Sequence, residues 1–140
     1  KSKCDFAEEA VFLSKQIGAP VLVQWSREDD IRHDYYHSVS AQHLTAGIDK
    51  EGQVTAWRHR VAYPSIMSTF DASVKQPAPL ELGLGALNNP YDIPNFRLET
   101  GQSEAMVRIG WLRSVCNTFH AHAVNCTIDE LAELLGFALR

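Results

Sequence analysis

The sequence has few of the features that mark a membrane protein or a nucleic-acid-binding protein. No apolar run approaches the roughly 18 residues that a membrane-spanning helix needs, and no secretory signal opens the chain. Basic residues are outnumbered, with thirteen Lys plus Arg against seventeen Asp plus Glu. We therefore expect no membrane span and no nucleic-acid partner, and a soluble protein of the cytoplasm or the periplasm.

Cysteine is also scarce, and its spacing argues against a metal site or a disulfide framework. The three cysteines, Cys4, Cys116 and Cys126, form no C-x-x-C pair. His120 and His122 are the densest pair among six histidines. Two residues apart on a helix, they lie on different sides and cannot chelate a metal as an i, i+4 pair would. We therefore expect no metal ion bound directly by side chains.

The length bounds the number of domains. A chain of 140 residues with 45% hydrophobic side chains can form one core and is too short for two. The sequence contains no internal repeat. We predict a single domain over residues 1–140.

Two amphipathic helices are predicted by apolar residues that recur at spacings of three and four. The first covers about residues 5–17, where Asp5 and Glu8 have the spacing of a capping box and Gly18 can supply a left-handed stop. The second covers about residues 118–135.

Strands are predicted where β-branched or alternating residues occur. Residues 21–25 form a short apolar run, and residues 37–47 and 53–62 read as the two strands of a long antiparallel hairpin. Residues 96–100 and 105–109 suggest two shorter strands.

The remaining segments are connections. Residues 26–34 are charged and fit a solvated turn or a short helix, and residues 64–95 contain too many prolines and glycines for one regular element. The order of elements predicts an α+β, two-layer domain with a mostly antiparallel sheet and two main helices on one face.

Four stretches of sequence carry a resemblance to a known family. Gly18 to Asp34 has the pattern G-x-P-V, strand, S-R-E-D-D, H-D, and Ala46 to Arg60, Pro90 to Asn95 and Gly110 to Ala132 follow it in order. These stretches resemble the large subunits of molybdenum hydroxylases, the family of xanthine dehydrogenase and aldehyde oxidase. They are most similar to the beta subunit of isoquinoline 1-oxidoreductase in bacteria.

The resemblance implies a function. Such enzymes hydroxylate aldehydes or N-heteroaromatic compounds with oxygen from water, using molybdenum held by a molybdopterin that is often a cytosine dinucleotide. The implied partners are the remainder of the large subunit, an iron–sulfur small subunit and the small-molecule substrate. The cofactor would carry the redox chemistry, and the protein would hold it and steer charge.

The resemblance also implies a site. Arg113 matches the arginine of a family loop that lies near the substrate, where its guanidinium could stabilise a developing anion as a catalytic residue. Ser114, Val115, Cys116 and Asn117 match the cofactor-binding positions, just before the second helix, where unpaired N–H groups attract an anion.

Two positions depart from the family pattern. Cys116 stands where relatives usually have glycine, and Asn125 stands where they commonly have glutamate. These departures motivate an alternative, a noncatalytic binding or assembly module that keeps the scaffold without the cofactor.

A further alternative, a small hydrolase, would use Cys116 with His120 or His122. The family's glycine-rich loop and its general-base glutamate are not in this sequence. We therefore expect an interior fragment of the molybdopterin-binding region that is inactive alone and binds no cofactor by itself.

Overall fold

A computed structural model of the chain describes residues 3–136. Four α-helices, three strands and a 3₁₀ turn follow one another along these residues. In order they are α1 (Asp5–Ile17), α2 (Arg27–His33), β1 (Ala41–Ile48), β2 (Val54–Ala62), the 3₁₀ turn (Ile66–Thr69), α3 (Pro79–Leu82), β3 (Asn95–Gly101) and α4 (Asn117–Leu134). Within these residues no helix is both long and apolar enough to span a bilayer.

Helix α1 has the predicted length but a different start. Gly18 ends it with φ of 73°, as predicted, because glycine enters the left-handed region without steric cost. The predicted capping box is wrong: Cys4 is the N-cap residue, and no side chain caps the helix. Asp5 lies inside the first turn instead, and its carboxylate pairs with the Arg108 guanidinium.

The charged segment forms a helix with a complete capping box. The backbone N–H of Asp29 donates to Ser26 Oγ, and the Ser26 N–H donates to the Asp29 carboxylate. The Ser26 hydroxyl also donates to the Asp29 carboxylate at 2.7 Å, and this hydrogen bond, followed by the one from the Ser26 N–H, lowers the pKa of the Asp29 carboxyl. Together these hydrogen bonds explain why a segment of seven residues holds a helical turn between two extended stretches.

The sheet has the order β1-β2-β3. Strands β1 and β2 form the predicted antiparallel hairpin, whose turn contains Gly52 with φ of 82°. Strand β3, predicted from Phe96 and Leu98, pairs parallel to β2. A parallel pair needs a long crossover, and residues 63–94 supply it. The predicted α+β class with a largely antiparallel sheet is confirmed.

The other two predicted strands are wrong. Residues 21–25 have no regular secondary structure, and Leu22 is 89% exposed. Residues 105–109 make only an isolated bridge between Ile109 and Tyr36. Both runs have apolar residues suited to a strand, but neither lies beside an edge of the three-stranded sheet.

The core lies between the sheet and α4. Trp57, His59 and Val61 alternate along β2 toward this side and are at most 3% exposed. Helix α4 buries His120 and Val124 against them and contacts β1, whereas α1 has no buried residue. Strand β2 carries large buried side chains, and α4 packs on the apolar surface that these side chains form.

The crossover segment is anchored by a buried carboxylate. Glu81 is 1% exposed and accepts hydrogen bonds from Ser65 Oγ at 2.6 Å, the Ile66 N–H at 2.7 Å and the Ala78 N–H at 2.8 Å. A buried charge is tolerated only when such donors replace water. Glu81 therefore joins the start of α3 to the 3₁₀ turn.

Glycine is required where the backbone comes close to Tyr35. A Cβ added at Gly110 would lie 2.6 Å from the Tyr35 Cβ, whereas at Gly101 it would meet no atom within 4 Å. We expect Gly110→Ala to lower the free energy of unfolding by about 1–3 kcal/mol, because backbone or side chains must shift. Urea denaturation of both variants measures this. An equal loss in Gly101→Ala would contradict the steric explanation.

Candidate functional site

The predicted site residues lie in the loop formed by residues 110–116 and at Asn117, the first residue of α4. Two backbone hydrogen bonds clasp the beginning of this loop to Tyr36: the Tyr36 N–H donates to Arg108 O at 2.8 Å, and the Gly110 N–H donates to Tyr36 O at 3.1 Å. The Trp111 ring packs on Phe70, with centroids 6.0 Å apart. The loop is thus fixed at one end by residues from before the sheet and at the other by α4.

The backbone of this loop is strained at two residues. Ser114 and Val115 have φ of 69° and 46° and are the non-glycine residues with positive φ among those described. A β-branched side chain in the left-handed region is a genuine outlier, and such strain often accompanies a functional site. The conformation turns the chain sharply into the first turn of α4.

This turn uses some N–H groups and leaves others without an acceptor. The Val115 N–H donates to Leu112 O at 3.1 Å, and the Asn117 N–H donates to Ser114 O at 2.9 Å. The N–H groups of Ser114 and Cys116 have no acceptor among residues 3–136. The first turn of α4 carries no acidic residue, so the helix dipole there favours an anion.

Cys116 faces the core. Its side chain is 2% exposed and packs with Val61 and Tyr63. Burial, with a smaller contribution from the Glu81 carboxylate and against the hydrogen bond with Tyr63, raises the pKa of the Cys116 thiol to about 11. Burial also raises the pKa of the Tyr63 hydroxyl well above its ordinary value. The thiol is therefore protonated at neutral pH and is a poor nucleophile.

His120 has a structural role in the core. Its Nδ1–H donates to Leu84 O at 2.8 Å, and the ring packs edge-on against Phe119, Tyr63 and His59. Burial lowers the pKa of the His120 imidazole. With its donor nitrogen bound to a carbonyl, His120 holds the crossover segment against α4, and the Cys-His hydrolase has no support in this geometry.

His122 lies on a different side of α4, as its spacing predicts. It is exposed, and its Nδ1 lies 3.6 Å from Cys126 Sγ. Among the described residues no three His, Cys, Asp or Glu side chains come together as a metal site would require.

The remaining predicted site residues face different surroundings. Arg113 and Ser114 are exposed. Asn117 packs toward the crossover segment, where its Oδ1 would lie 3.1 Å from a Cβ added at Gly85. Asn125 accepts a hydrogen bond from the Tyr91 hydroxyl at 2.8 Å and donates to Ala121 O at 2.7 Å. The structure thus brings Arg113 and Ser114 to the surface and turns Cys116 and Asn117 inward.

Sequence reasoning missed a second cluster, centred on Arg108. Its guanidinium pairs with Asp5, donates to His33 O at 3.0 Å and lies 4.3 Å from the centre of the Tyr35 ring. A cavity of about 780 Å³ adjoins this cluster, and no residue of 113–117 lines it. Asp5 and Arg108 are 103 positions apart, so no local pattern could have linked them.

Comparisons with known proteins give one family. Residues 2–139 match the family described as "Molybdopterin cofactor-binding domain". Among curated proteins, the chain is 28% identical to a subunit of nicotinate dehydrogenase from Pseudomonas putida, over 94% of this chain and 12% of that protein.

Two further relatives carry other activities in their names. The chain is 28% identical to a membrane-bound aldehyde dehydrogenase [pyrroloquinoline-quinone] of Gluconacetobacter polyoxogenes, over 91% of this chain and 18% of that protein. It is 25% identical to the beta subunit of isoquinoline 1-oxidoreductase from Brevundimonas diminuta, over 91% of this chain and 17% of that protein. The chain spans less than a fifth of the length of these relatives.

The strain at Ser114 gives a stability prediction. We expect Ser114→Gly to raise the free energy of unfolding by about 0.5–1 kcal/mol, because relief of the left-handed strain exceeds the entropy cost of glycine. The control is Ala105→Gly, at an exposed position without positive φ, which should lower it. Chemical denaturation measures the free energy of unfolding of both variants. A loss of stability in both would contradict the claim that the backbone is strained at Ser114.

The buried His59 gives a pH prediction. Burial, followed by the charge of His120, lowers the pKa of His59 to about 4 from its ordinary 6.5. Between these two pH values the His59 imidazole is therefore protonated in the unfolded chain and neutral in the folded chain. We expect stability to be complete above about pH 6.5 and to fall by about 3 kcal/mol as the pH decreases toward 4.

Stability measured across this pH range in two variants tests the assignment. His59→Gln should flatten the dependence, whereas His122→Gln, at an exposed position on α4, should leave it unchanged. An unchanged slope in His59→Gln would show that another group is responsible.

Proposed function

Because the chain belongs to the molybdopterin cofactor-binding domain family, we propose that it forms part of the cofactor-binding region of a molybdenum-dependent hydroxylase. The substrate class is an aldehyde or an N-heteroaromatic compound, with water as the source of oxygen. The names of the relatives support this class, since two of them are a nicotinate dehydrogenase and an isoquinoline oxidoreductase.

The observation that carries the proposal is the donor set on the 110–116 loop. Arg113 and Ser114 are exposed at the start of an 18-residue helix, and the N–H group of Ser114 has no acceptor among the described residues. Charged guanidinium and backbone N–H donors suit the anionic oxygen and sulfur groups of a molybdopterin. The residues present therefore fit the cofactor, which when bound supplies a two-electron oxidation that incorporates oxygen from water.

Each residue of the loop has its own role in the proposal. Arg113 is the catalytic residue, and its permanently charged fork stabilises negative charge that develops on the substrate. Ser114 binds the cofactor through its exposed backbone N–H group, and the buried Cys116 supports this cofactor-binding loop from the core side. Val115 contributes its left-handed turn, and Asn117 holds the loop against the crossover segment.

Further parts of the proposal concern the rest of the enzyme. The cofactor is the cytosine dinucleotide form of molybdopterin, and electrons leave through an iron–sulfur small subunit. The chain acts together with the remainder of a large subunit and is inactive alone, without bound cofactor. The size of the relatives supports this view, since the chain spans 12% to 18% of their length.

A noncatalytic assembly module is the second candidate, and Cys116 and Asn125 motivate it. The inward direction of the Cys116 side chain favours the catalytic proposal, because the thiol does not obstruct the outer surface of the loop. Likewise, a glutamate at position 125 could accept a hydrogen bond from the Tyr91 hydroxyl, as Asn125 does. The two departures therefore leave the local packing intact.

Restoration of the family residues distinguishes the two candidates. We expect the large subunit carrying Cys116→Gly and Asn125→Glu to hold the same molybdenum content as the unmodified subunit, measured by elemental analysis. A large gain in molybdenum on restoration would favour the noncatalytic module.

Replacement of Arg113 tests its catalytic role. In the assembled enzyme, we expect Arg113→Ala to lower kcat/KM by about 100- to 1000-fold, as expected when a donor to a developing anion is lost. Molybdenum content should be unchanged. Arg27→Ala, which removes an exposed arginine at the start of α2, is the matched control. Activity retained in Arg113→Ala, or lost equally in Arg27→Ala, would overturn the assignment.

A further inference from the structure

The outer face of the sheet is the face turned away from α4. The strand register arranges its side chains in four rows that cross β1, β2 and β3, and the rows are Ala41–Ala62–Gly101, His43–Arg60–Glu99, Thr45–Arg58–Arg97 and Gly47–Ala56–Asn95. None of these residues is buried, whereas Trp57, His59 and Val61 on the inner face of β2 are buried. Within residues 3–136 this face is therefore open.

The two middle rows carry an excess of positive charge. Glu99 is shared by two arginines, with its Oε2 at 2.5 Å from Arg60 Nε and its Oε1 at 2.6 Å from Arg97 Nε. The hydrogen bond from Arg60 lowers the pKa of the Glu99 carboxyl. Arg58 Nε is buried and has no hydrogen-bond partner among the described residues, so an added layer can reach Arg58 only through its terminal nitrogens. One carboxylate thus serves three arginines, on a chain whose net charge is −4.

The two end rows are made of small residues. A groove at one end runs over Ala41, Ala62 and Gly101, and a second groove at the other end runs over Gly47 and Ala56. Alanine and glycine let another layer of polypeptide approach the sheet at close range. The face therefore offers cationic groups at its centre and shallow apolar grooves on both sides.

We infer that the outer face is a docking surface for an acidic segment of the same, longer polypeptide. Carboxylates of this segment pair with Arg58 and Arg97, and its apolar side chains fill the two grooves. The inference rests on the proposed function, in which this chain is part of a large subunit. The span of the chain, less than a fifth of its curated relatives, leaves ample polypeptide to supply the segment.

The charges favour a polypeptide over a nucleic acid. Stable binding to nucleic acid commonly uses about 6–10 phosphate contacts, whereas this face has three arginines and one carboxylate. Carboxylates from a packed layer would pair with the terminal nitrogens of Arg58, and a bidentate carboxylate contact is a frequent partner of a guanidinium.

Arginine modification in the assembled enzyme tests the inference. The probe is phenylglyoxal, and peptide mass spectrometry follows its reaction with Arg58, Arg60 and Arg97. We expect these residues to react at least about tenfold more slowly in the folded enzyme than after denaturation, because the docked segment excludes the reagent. Equal rates in both states would overturn the inference.

A steric variant provides the matched comparison. Gly101→Leu adds bulk to an end row at a position where the chain itself has room, and Lys50→Leu adds an exposed leucine in the β1–β2 turn. We expect Gly101→Leu to restore most of the reactivity of Arg60, and Lys50→Leu to leave it protected. No change in Gly101→Leu would count against docking on this face.

A photo-crosslink identifies the polypeptide segment that docks on the outer face. Benzoylphenylalanine placed at exposed Thr45 should join a segment of the same polypeptide that contains several Asp or Glu residues. A crosslink to the small subunit or to a second copy of the chain would overturn the proposed occupant. Molybdenum content, measured in parallel, reports on the proposed function alone, so arginine protection without molybdenum would refute only that function.

Discussion

The packing of the first turn of α4 against the residues that follow β2 is the contact on which the rest of the structure depends. Cys116 and His120, one turn apart, lie against Tyr63, and His120 also binds Leu84 O at 2.8 Å. This one contact fixes the helix over the sheet and the crossover segment over the helix. It also determines where the 110–116 loop emerges, so the exposure of Arg113 is a consequence of how the core packs.

Burial of polar groups sets the chemical character of this core. His59, His120, Tyr63 and Glu81 are all fully or almost fully buried. The two imidazoles are held neutral, since each has a lowered pKa and donates one N–H to an oxygen acceptor. The carboxyl group of Glu81 accepts three hydrogen bonds. The hydrogen bonds that these groups do make join β2, the crossover segment and α4 in one arrangement.

Local patterns predicted the elements that local interactions make. The spacing of apolar residues located α1 and α4, and alternation with a turn at Gly52 located the hairpin. Arg113 was predicted from a motif; the structure places it at the surface, and its catalytic role stays a prediction. These features depend on residues close together in the sequence, where periodicity carries information.

The rest depends on contacts that sequence patterns do not encode. Strand β3 pairs parallel to β2 because of a crossover of about thirty residues. Residues 21–25 have strand composition, yet no sheet edge lies beside them. The positive φ at Val115 runs against the preference of its residue type, and tertiary packing of its neighbours imposes it.

The parallel pairing of β2 with β3 has a consequence for how the chain folds. The β1–β2 hairpin closes over a turn of a few residues, so it can form early, whereas β3 must first bring together positions about forty residues apart. Helix α4 contacts β1 and packs over the buried side chains of β2. A ligand that binds the 110–116 loop only in the folded domain would therefore stabilise the domain in proportion to its concentration.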